Sequence, residues 1–199
     1  MIRYECLQRL AAFITDQLVV TSLSGQKIEW AHLSDHDGNL LIGNMGNALG
    51  VGLGLALALP HRKVIVLESD GSVLLSLFNL PTLANLRPAN LLVFVFDNEV
   101  YSGSRISEPT ATAGKTDLRK MAEGAGIENA VTVTDVESFE RAASEGLTKD
   151  ELSFVVCKVE ETLQHRDIPR THMPPLENKF RFVRYLERTE GRPILLGRG

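Results

Sequence analysis

The sequence predicts an α/β fold, a doubly wound and mainly parallel sheet with helices on both faces. Three observations carry that prediction. Two continuous apolar runs, Val64-Ile65-Val66-Leu67 and Leu91-Leu92-Val93-Phe94-Val95-Phe96, are short and rich in β-branched or aromatic residues. Such runs suit strands buried on both faces of a parallel sheet. Strand-like and helix-like segments alternate along the chain, as a sheet wound by crossover helices requires. Each run then gives way to polar, turn-forming residues: Glu68-Ser69-Asp70-Gly71-Ser72 after the first and Asp97-Asn98 after the second. Ligands of open α/β sheets bind just past the carboxyl ends of such strands.

Composition bounds the function. The chain has 199 residues, 44% apolar and 23% charged, the proportions of a soluble globular protein. That length holds one domain, 1–199, with a C-terminal helical extension at about 175–190. A net charge of −4 argues against a nucleic-acid surface. Cys6 and Cys157 are too few for a disulfide framework, a metal knuckle or an iron–sulfur cluster. Cys157 sits inside an apolar run and reads as a buried thiol. The opening Met-Ile-Arg-Tyr-Glu-Cys lacks a signal-peptide pattern, and the apolar stretch 48–60 is too short to span a bilayer. A cytoplasmic protein without membrane contact is expected.

The elements follow in order. Tyr4, Leu7, Leu10, Ala11 and Ile14 recur at helical spacing and predict an amphipathic first helix. Leu18-Val19-Val20 is the first strand, ending at Thr21-Ser22. Residues 26–40 carry Trp30, His32, Asp35, His36 and Asp37 without a clear period. Their spacing matches no helix-borne metal pair, so they read as a solvated loop or a substrate entrance. Residues 43–59 alternate Gly and Ala with Leu and Val. Each interior glycine costs a helix about 1 kcal/mol relative to alanine, so a close backbone approach is expected there. Helix packing accounts for Gly50 and Gly54 on one face, but not for Gly43-Asn44-Met45-Gly46, which precedes the helix. A dinucleotide fingerprint needs a strand before its glycines, and here the strand follows them.

Leu74, Leu75, Phe78 and Leu83 give an apolar face after Asp70, with Pro81 expected to break or kink that helix. Residues 101–116 are rich in Ser, Gly, Thr and Pro and predict a long loop of the kind that is often functional. Asp117 caps a helix reaching Ala122, which Gly124-Ala125-Gly126 ends. Residues 130–133 form a strand, Asp135 caps the helix holding Phe139, Ala142 and Ala143, and 152–159 is the last strand. After an irregular segment at 162–175, Leu176, Phe180, Val183 and Leu186 form a closing helix. Its Lys179, Arg181, Arg184 and Arg188 make a face that is either solvated or docked to an acidic partner.

At the predicted rim, Asp70 and Asn98 come side by side. One carboxylate and one amide oxygen are hard ligands that suit magnesium, which takes few protein ligands and completes its shell with phosphate oxygens and water. Gly71 and Ser72 open the next helix, and a helix start is a phosphate site. The residues themselves therefore point to a magnesium–diphosphate site, with an ordinary turn and loop as the alternative.

Asp70-Gly71-Ser72, followed at this distance by Asp97-Asn98, resembles the thiamine diphosphate motif, usually Gly-Asp-Gly-Ser ending in Asn-Asn. Gly43-Asn44-Met45-Gly46 upstream and residues 101–110 downstream fit the same family. The likeness is to the diphosphate-binding domain of sulfopyruvate and phosphonopyruvate decarboxylases, in particular the β chain of two-subunit sulfopyruvate decarboxylases, and it covers most of the chain. The resemblance implies the thiamine diphosphate-binding fold, with thiamine diphosphate and magnesium as cofactors. It places Asp70, Asn98 and the Val100 carbonyl on magnesium, and Gly71 and Ser72 on the diphosphate. It makes Met45 the wedge that holds the cofactor bent, unless it is a plain core methionine, and puts the Gly43 carbonyl on the aminopyrimidine. Asn44 and Tyr101 fall in the same cofactor-binding set.

The resemblance further implies a carboxy-lyase subunit acting on a small 2-oxo acid. No catalytic residue is assigned in this chain; the activating glutamate is expected from a separate pyrimidine-binding, α-type subunit. A hetero-oligomer follows, with self-association of this chain also open. Ser69 departs from the usual glycine and Asp97 from the usual asparagine, and Glu108 stands near a position that is often glutamine. The substrate, and whether the product is an aldehyde or a carboligation product, are therefore left open. Arg105 reads as a partner for an anionic substrate tail or as an exposed loop residue. Three alternatives stand beside this reading: a non-catalytic cofactor-binding or regulatory subunit, another thiamine diphosphate enzyme such as an acetolactate synthase-like lyase, and an unrelated nucleotide-binding α/β domain.

Overall fold

The computed structural model describes residues 1–101, 107–162, 167–169 and 173–194. The strands in chain order are β1 (Leu18–Thr21), β2 (Asn39–Leu41), β3 (Val64–Ser69), β4 (Leu91–Asp97), β5 (Val100–Tyr101), β6 (Glu108–Pro109), β7 (Ala130–Val133) and β8 (Ser153–Lys158). The helices are α1 (Arg3–Ala11), α2 (Gly25–Leu33), α3 (Ala48–Ala58), α4 (Asp70–Leu74), α5 (Asn79–Leu86), α6 (Leu118–Ala125), α7 (Val136–Thr148) and α8 (Pro175–Glu190), with a 3-10 turn at Ala111–Ala113. Six strands make one sheet in the order β2-β1-β3-β4-β8-β7, every neighbouring pair parallel. β5 and β6 form a separate antiparallel pair. The expected α/β architecture is what the chain adopts.

β3 and β4 are buried at every position, which explains why their sequences show continuous apolar runs rather than alternation. Alternate side chains feed two cores. Val64, Val66, Val93 and Val95 pack with residues of α3, α5, α6 and α8, while Ile65, Leu67, Phe94 and Phe96 pack with α1, Trp30 of α2 and Phe139 of α7. The order of strands reverses between β1 and β3, and β8 returns between β4 and β7, so polar residues past β1, β3 and β4 line one rim.

The glycine-rich helix does approach a strand closely, but through a different glycine than expected. A Cβ on Gly52 would lie 2.2 Å from Val66 Cγ2, so α3 rests with its backbone on β3. Gly50 and Gly54 are exposed instead. Asn90 ties this helix to β4: its Nδ2 lies 3.0 Å from the carbonyls of both Ala56 and Leu59 and 2.7 Å from that of Arg62. These include carbonyls that a helix end leaves unpaired.

Residues 26–40 are not one solvated loop; only 34–38 lie outside regular elements. They hold most of α2 and the start of β2. The helical period is hidden because α2 buries Gly25, Gln26, Glu29 and Trp30, a stripe that is half polar. Glu29 is fully buried and takes a bidentate ion pair from Arg3 of α1 at 2.7 and 2.8 Å. Trp30 Nε1 donates to Asn39 Oδ1 at 2.9 Å. Asp35 and Asp37 precede β2, so in a parallel sheet they lie at the edge opposite the rim. There they receive α8: Arg181 pairs with both aspartates and Arg188 with Asp37. Asn178 of α8 also covers the exposed edge of β2, accepting from the Leu41 N–H at 2.8 Å and donating to the Asn39 carbonyl at 2.9 Å.

Pro81 does not break a helix. It is the third residue of α5, where a missing N–H costs little, and the interruption falls upstream at residues 75–78. α6 and α7 start as their aspartates dictate: the Asp117 carboxylate accepts from the Lys120 N–H, and Asp135 forms a capping box with Ser138. Gly126 ends α6 in the left-handed region, at φ 103°. The long loop after β4 contains β5, β6 and the 3-10 turn, and Arg105 lies outside the described residues. No helix among the described residues is long and apolar enough to cross a membrane.

Candidate functional site

β3 and β4 are hydrogen-bonded neighbours in register from Val64–Leu91 to Ser69–Phe96. Asp70 and Asn98 therefore follow adjacent strand ends, although they are far apart in sequence. Asp70 is also the first residue of α4, whose N-cap Ser69 accepts from the Ser72 N–H at 3.4 Å. Serine in the usual glycine position thus serves as a helix cap.

The Asp70 carboxyl is 1% exposed. Thr110 Oγ1 donates to its Oδ2 at 2.6 Å, and Thr112 Oγ1 lies 3.0 Å from the same oxygen. Burial raises the Asp70 pKa, and the negative charge of Asp97 adds to that, against hydrogen bonds from Thr110, Gly71 and Thr112. Asp97 is buried too, with Thr112 Oγ1 2.8 Å from its Oδ1 and Lys158 Nζ 2.7 Å from its Oδ2. Lys158 also reaches Glu99 at 2.9 Å. Burial of Lys158 works against its charge, but its bonds to Asp97 and Glu99 outweigh that and raise its pKa.

Asn98 is buried, and its Oδ1 accepts from the Val100 N–H at a long 3.4 Å. Val100 stands opposite Pro109 in the β5–β6 pair, and the Thr110 N–H donates to the Glu99 carbonyl at 2.9 Å. Hydrogen-bonded and non-hydrogen-bonded pairs alternate along an antiparallel ladder, and proline has no N–H to give. The Val100 carbonyl therefore gets no donor from β6. One carboxylate, one amide oxygen and one backbone carbonyl could hold a divalent ion, and such hard oxygens fit magnesium. No group of three or more His, Cys, Asp or Glu side chains gathers as a metal site among the described residues.

The turn at residues 43–47 reaches the same rim. The Leu23 N–H just past β1 donates to the Asn44 carbonyl at 3.1 Å. The Gly46 N–H donates to Ser72 Oγ at 2.8 Å, and Gly46 takes φ 81°, which favours glycine. Met45 is half-buried, while Gly43 and Asn44 are exposed. Ser72 is itself buried, next to Glu68, a fully buried carboxyl on β3 whose Oε1 accepts from the Leu49 N–H at 3.3 Å. Burial pushes the Glu68 pKa up, against hydrogen bonds from the Ser72 and Ser22 hydroxyls and the Leu49 and Ser69 N–H groups. The Ser72 hydroxyl thus faces inward, tying α4 to the turn, and what it offers a ligand is the helix start. Tyr101 lies over that start: a Cβ on Gly71 would fall 2.3 Å from Tyr101 Cε1, so only glycine admits the ring in this position.

The structure brings Asp70, Gly71, Ser72, Asn98, Val100, Tyr101 and the turn holding Gly43, Asn44 and Met45 to one end of the sheet. Sequence reasoning missed Thr110, Thr112, Lys158 and Glu68. The two threonines stand two apart in a polar loop, but Thr112 falls in the 3-10 turn Ala111–Ala113, so no strand spacing marks them. Glu68 is a lone acid closing an apolar strand, a position that itself signals a buried carboxyl.

Residues 29–157 match the family described as thiamine pyrophosphate enzyme, C-terminal TPP binding domain. The chain is 30% identical over 175 residues to the sulfopyruvate decarboxylase subunit beta of Methanocaldococcus jannaschii, covering 87% of this chain and 90% of that one. It is 33% identical over 150 residues to the phosphonopyruvate decarboxylase of Streptomyces viridochromogenes, covering 74% of this chain and 37% of that one. Among solved structures, benzoylformate decarboxylase from Polynucleobacter necessarius matches with a TM-score of 0.65 at 17% identity, over 81% of this chain and 34% of that one. That last likeness speaks to the fold alone.

Proposed function

The chain belongs to the thiamine pyrophosphate enzymes, through their C-terminal TPP binding domain, and on that premise we propose that it is the diphosphate-binding subunit of a magnesium-dependent 2-oxo acid decarboxylase. The observation that carries the reading is the placement of Asp70 and Asn98 past adjacent strand ends, with Gly71 and Ser72 opening a helix between them. Asp70, Asn98 and the Val100 carbonyl hold magnesium. The N-terminus of α4 faces the diphosphate, as helix starts do. Met45 and the Gly43 carbonyl meet the rings of the cofactor. Thiamine diphosphate supplies the electron sink that lets a 2-oxo acid lose carbon dioxide. The residues of this chain bind it, orient it and keep water from its diphosphate end.

The substrate is a small 2-oxo acid bearing a second anionic group, of the sulfopyruvate or phosphonopyruvate kind that names the relatives. A relative called subunit beta supports a second, pyrimidine-binding chain that supplies the activating glutamate. The assembly is a hetero-oligomer, and two buried free thiols suit the reducing cytoplasm.

Cofactor retention tests the reading. The chain assembled with its pyrimidine-binding partner is loaded with thiamine diphosphate and magnesium, then desalted, and the bound cofactor is counted. Asp70→Ala removes the charged ligand and is expected to abolish retention; Asn98→Ala is expected to weaken it strongly. Full retention in Asp70→Ala contradicts the assignment.

A further inference from the structure

A short stretch after the hairpin is bolted to both strand ends of the rim. Thr110 Oγ1 and Thr112 Oγ1 lie 2.8 Å apart, and both contact Asp70 Oδ2, at 2.6 and 3.0 Å. Thr112 Oγ1 also contacts Asp97 Oδ1 at 2.8 Å, and the other Asp97 oxygen takes Lys158 at 2.7 Å. The two threonines and two aspartates are each at most 5% exposed. Hydrogen bonds between a hydroxyl and a buried carboxylate are short and strong; Thr112 joins Asp70, just past β3, to Asp97 of β4, and Asp97 in turn pairs with Lys158 of β8.

The direction of the contacts matters more than their number. Thr110 donates its one proton to Asp70 Oδ2, while Thr112 shares its one proton between Asp70 Oδ2 and Asp97 Oδ1. Both contacts fall on the same Asp70 oxygen, which limits the rotation of the carboxyl and orients Oδ1. Magnesium demands near-ideal octahedral ligand directions, so a carboxylate held in rotation costs less to engage than a free one. Partners that orient a ligand without touching the metal typically account for about 10- to 100-fold in metal affinity. Asp97 has a different task. Its two oxygens are taken by Thr112 and Lys158, and the lysine offsets its charge, so it anchors Thr112 rather than adding a metal ligand.

We propose that Thr110 and Thr112 are positioning residues that set the Asp70 carboxyl for magnesium, and that the Asp97–Lys158 pair anchors Thr112 for that purpose. The proposal rests on the reading of Asp70 as a magnesium ligand.

The test is isothermal titration of magnesium chloride into the assembled two-subunit protein at saturating thiamine diphosphate. Thr112→Val keeps the shape and deletes the hydroxyl; Thr112→Ser keeps the hydroxyl and deletes the methyl; Thr110→Val is the second deletion. Each valine variant is expected to bind magnesium about 10- to 100-fold more weakly and to melt lower, because it strips a donor from a buried carboxylate, with Thr112→Ser close to the unaltered protein in both. Unchanged magnesium affinity in both valine variants overturns the proposal. So does equal weakening in Thr112→Val and Thr112→Ser alongside a lowered melting temperature, which marks the residue as structural only. If the unaltered assembly binds thiamine diphosphate without regard to magnesium, the underlying metal assignment falls as well.

Discussion

Met45 shows what a single side chain contributes at this rim. It is half-buried, on a turn held by the Gly46 N–H bond to Ser72 and the Leu23 bond to the Asn44 carbonyl. The proposed diphosphate anchor, at Asp70 and the start of α4, is a separate part of the site. Met45→Ala is therefore expected to lower turnover more than it lowers affinity for magnesium and thiamine diphosphate. A loss of ~10²-fold is the scale for reacting groups held out of position. Steady-state kinetics beside a binding titration checks this, and unchanged turnover makes Met45 an ordinary core residue. Residues such as Asp70, Gly71 and Asn98 were legible because each stands at a fixed offset from a strand end. Thr110, Thr112 and Lys158 were not, because their partners are set by the pairing of β4 with β8 and by the return of the chain after β6. No local spacing reports such a contact.

At the scale of elements, α3 sets the clearest test. Gly52 has no room for a methyl group beside Val66, whereas Gly54 is exposed, with open space where a methyl group would stand. Overpacking costs ~1–3 kcal/mol, and replacing a helix glycine by alanine returns about 1 kcal/mol. Gly52→Ala is expected to destabilise by up to about 2 kcal/mol, and Gly54→Ala to stabilise by up to about 1 kcal/mol. Urea denaturation midpoints separate the two, and a Gly52→Ala protein as stable as Gly54→Ala removes the close approach. The glycine pattern announced a tight contact, but exposed and packed glycines look alike in sequence, so the contacting face was misread. α2 was illegible for the opposite reason: its buried stripe includes Gln26 and Glu29, and the ion pair that makes Glu29 tolerable comes from Arg3 on another helix. Strands β3, β4 and β8 were plain because strands covered on both faces must be apolar throughout.

At the scale of the whole molecule, the proposed function makes this chain half of an active site. Its sheet carries the proposed diphosphate site at one rim, and the described residues hold no second set of strands for a pyrimidine-binding unit. Alternating strands and helices made the α/β architecture legible, while the sheet order and the docking of α8 across β2 depended on contacts between distant segments. The most direct measurement is carbon dioxide release from sulfopyruvate, phosphonopyruvate and pyruvate, with thiamine diphosphate and magnesium present, by this chain alone and by this chain with its pyrimidine-binding partner. A half-site predicts no release from the chain alone and turnover of an anionic 2-oxo acid once the partner is added. Robust turnover by this chain without a second polypeptide contradicts it.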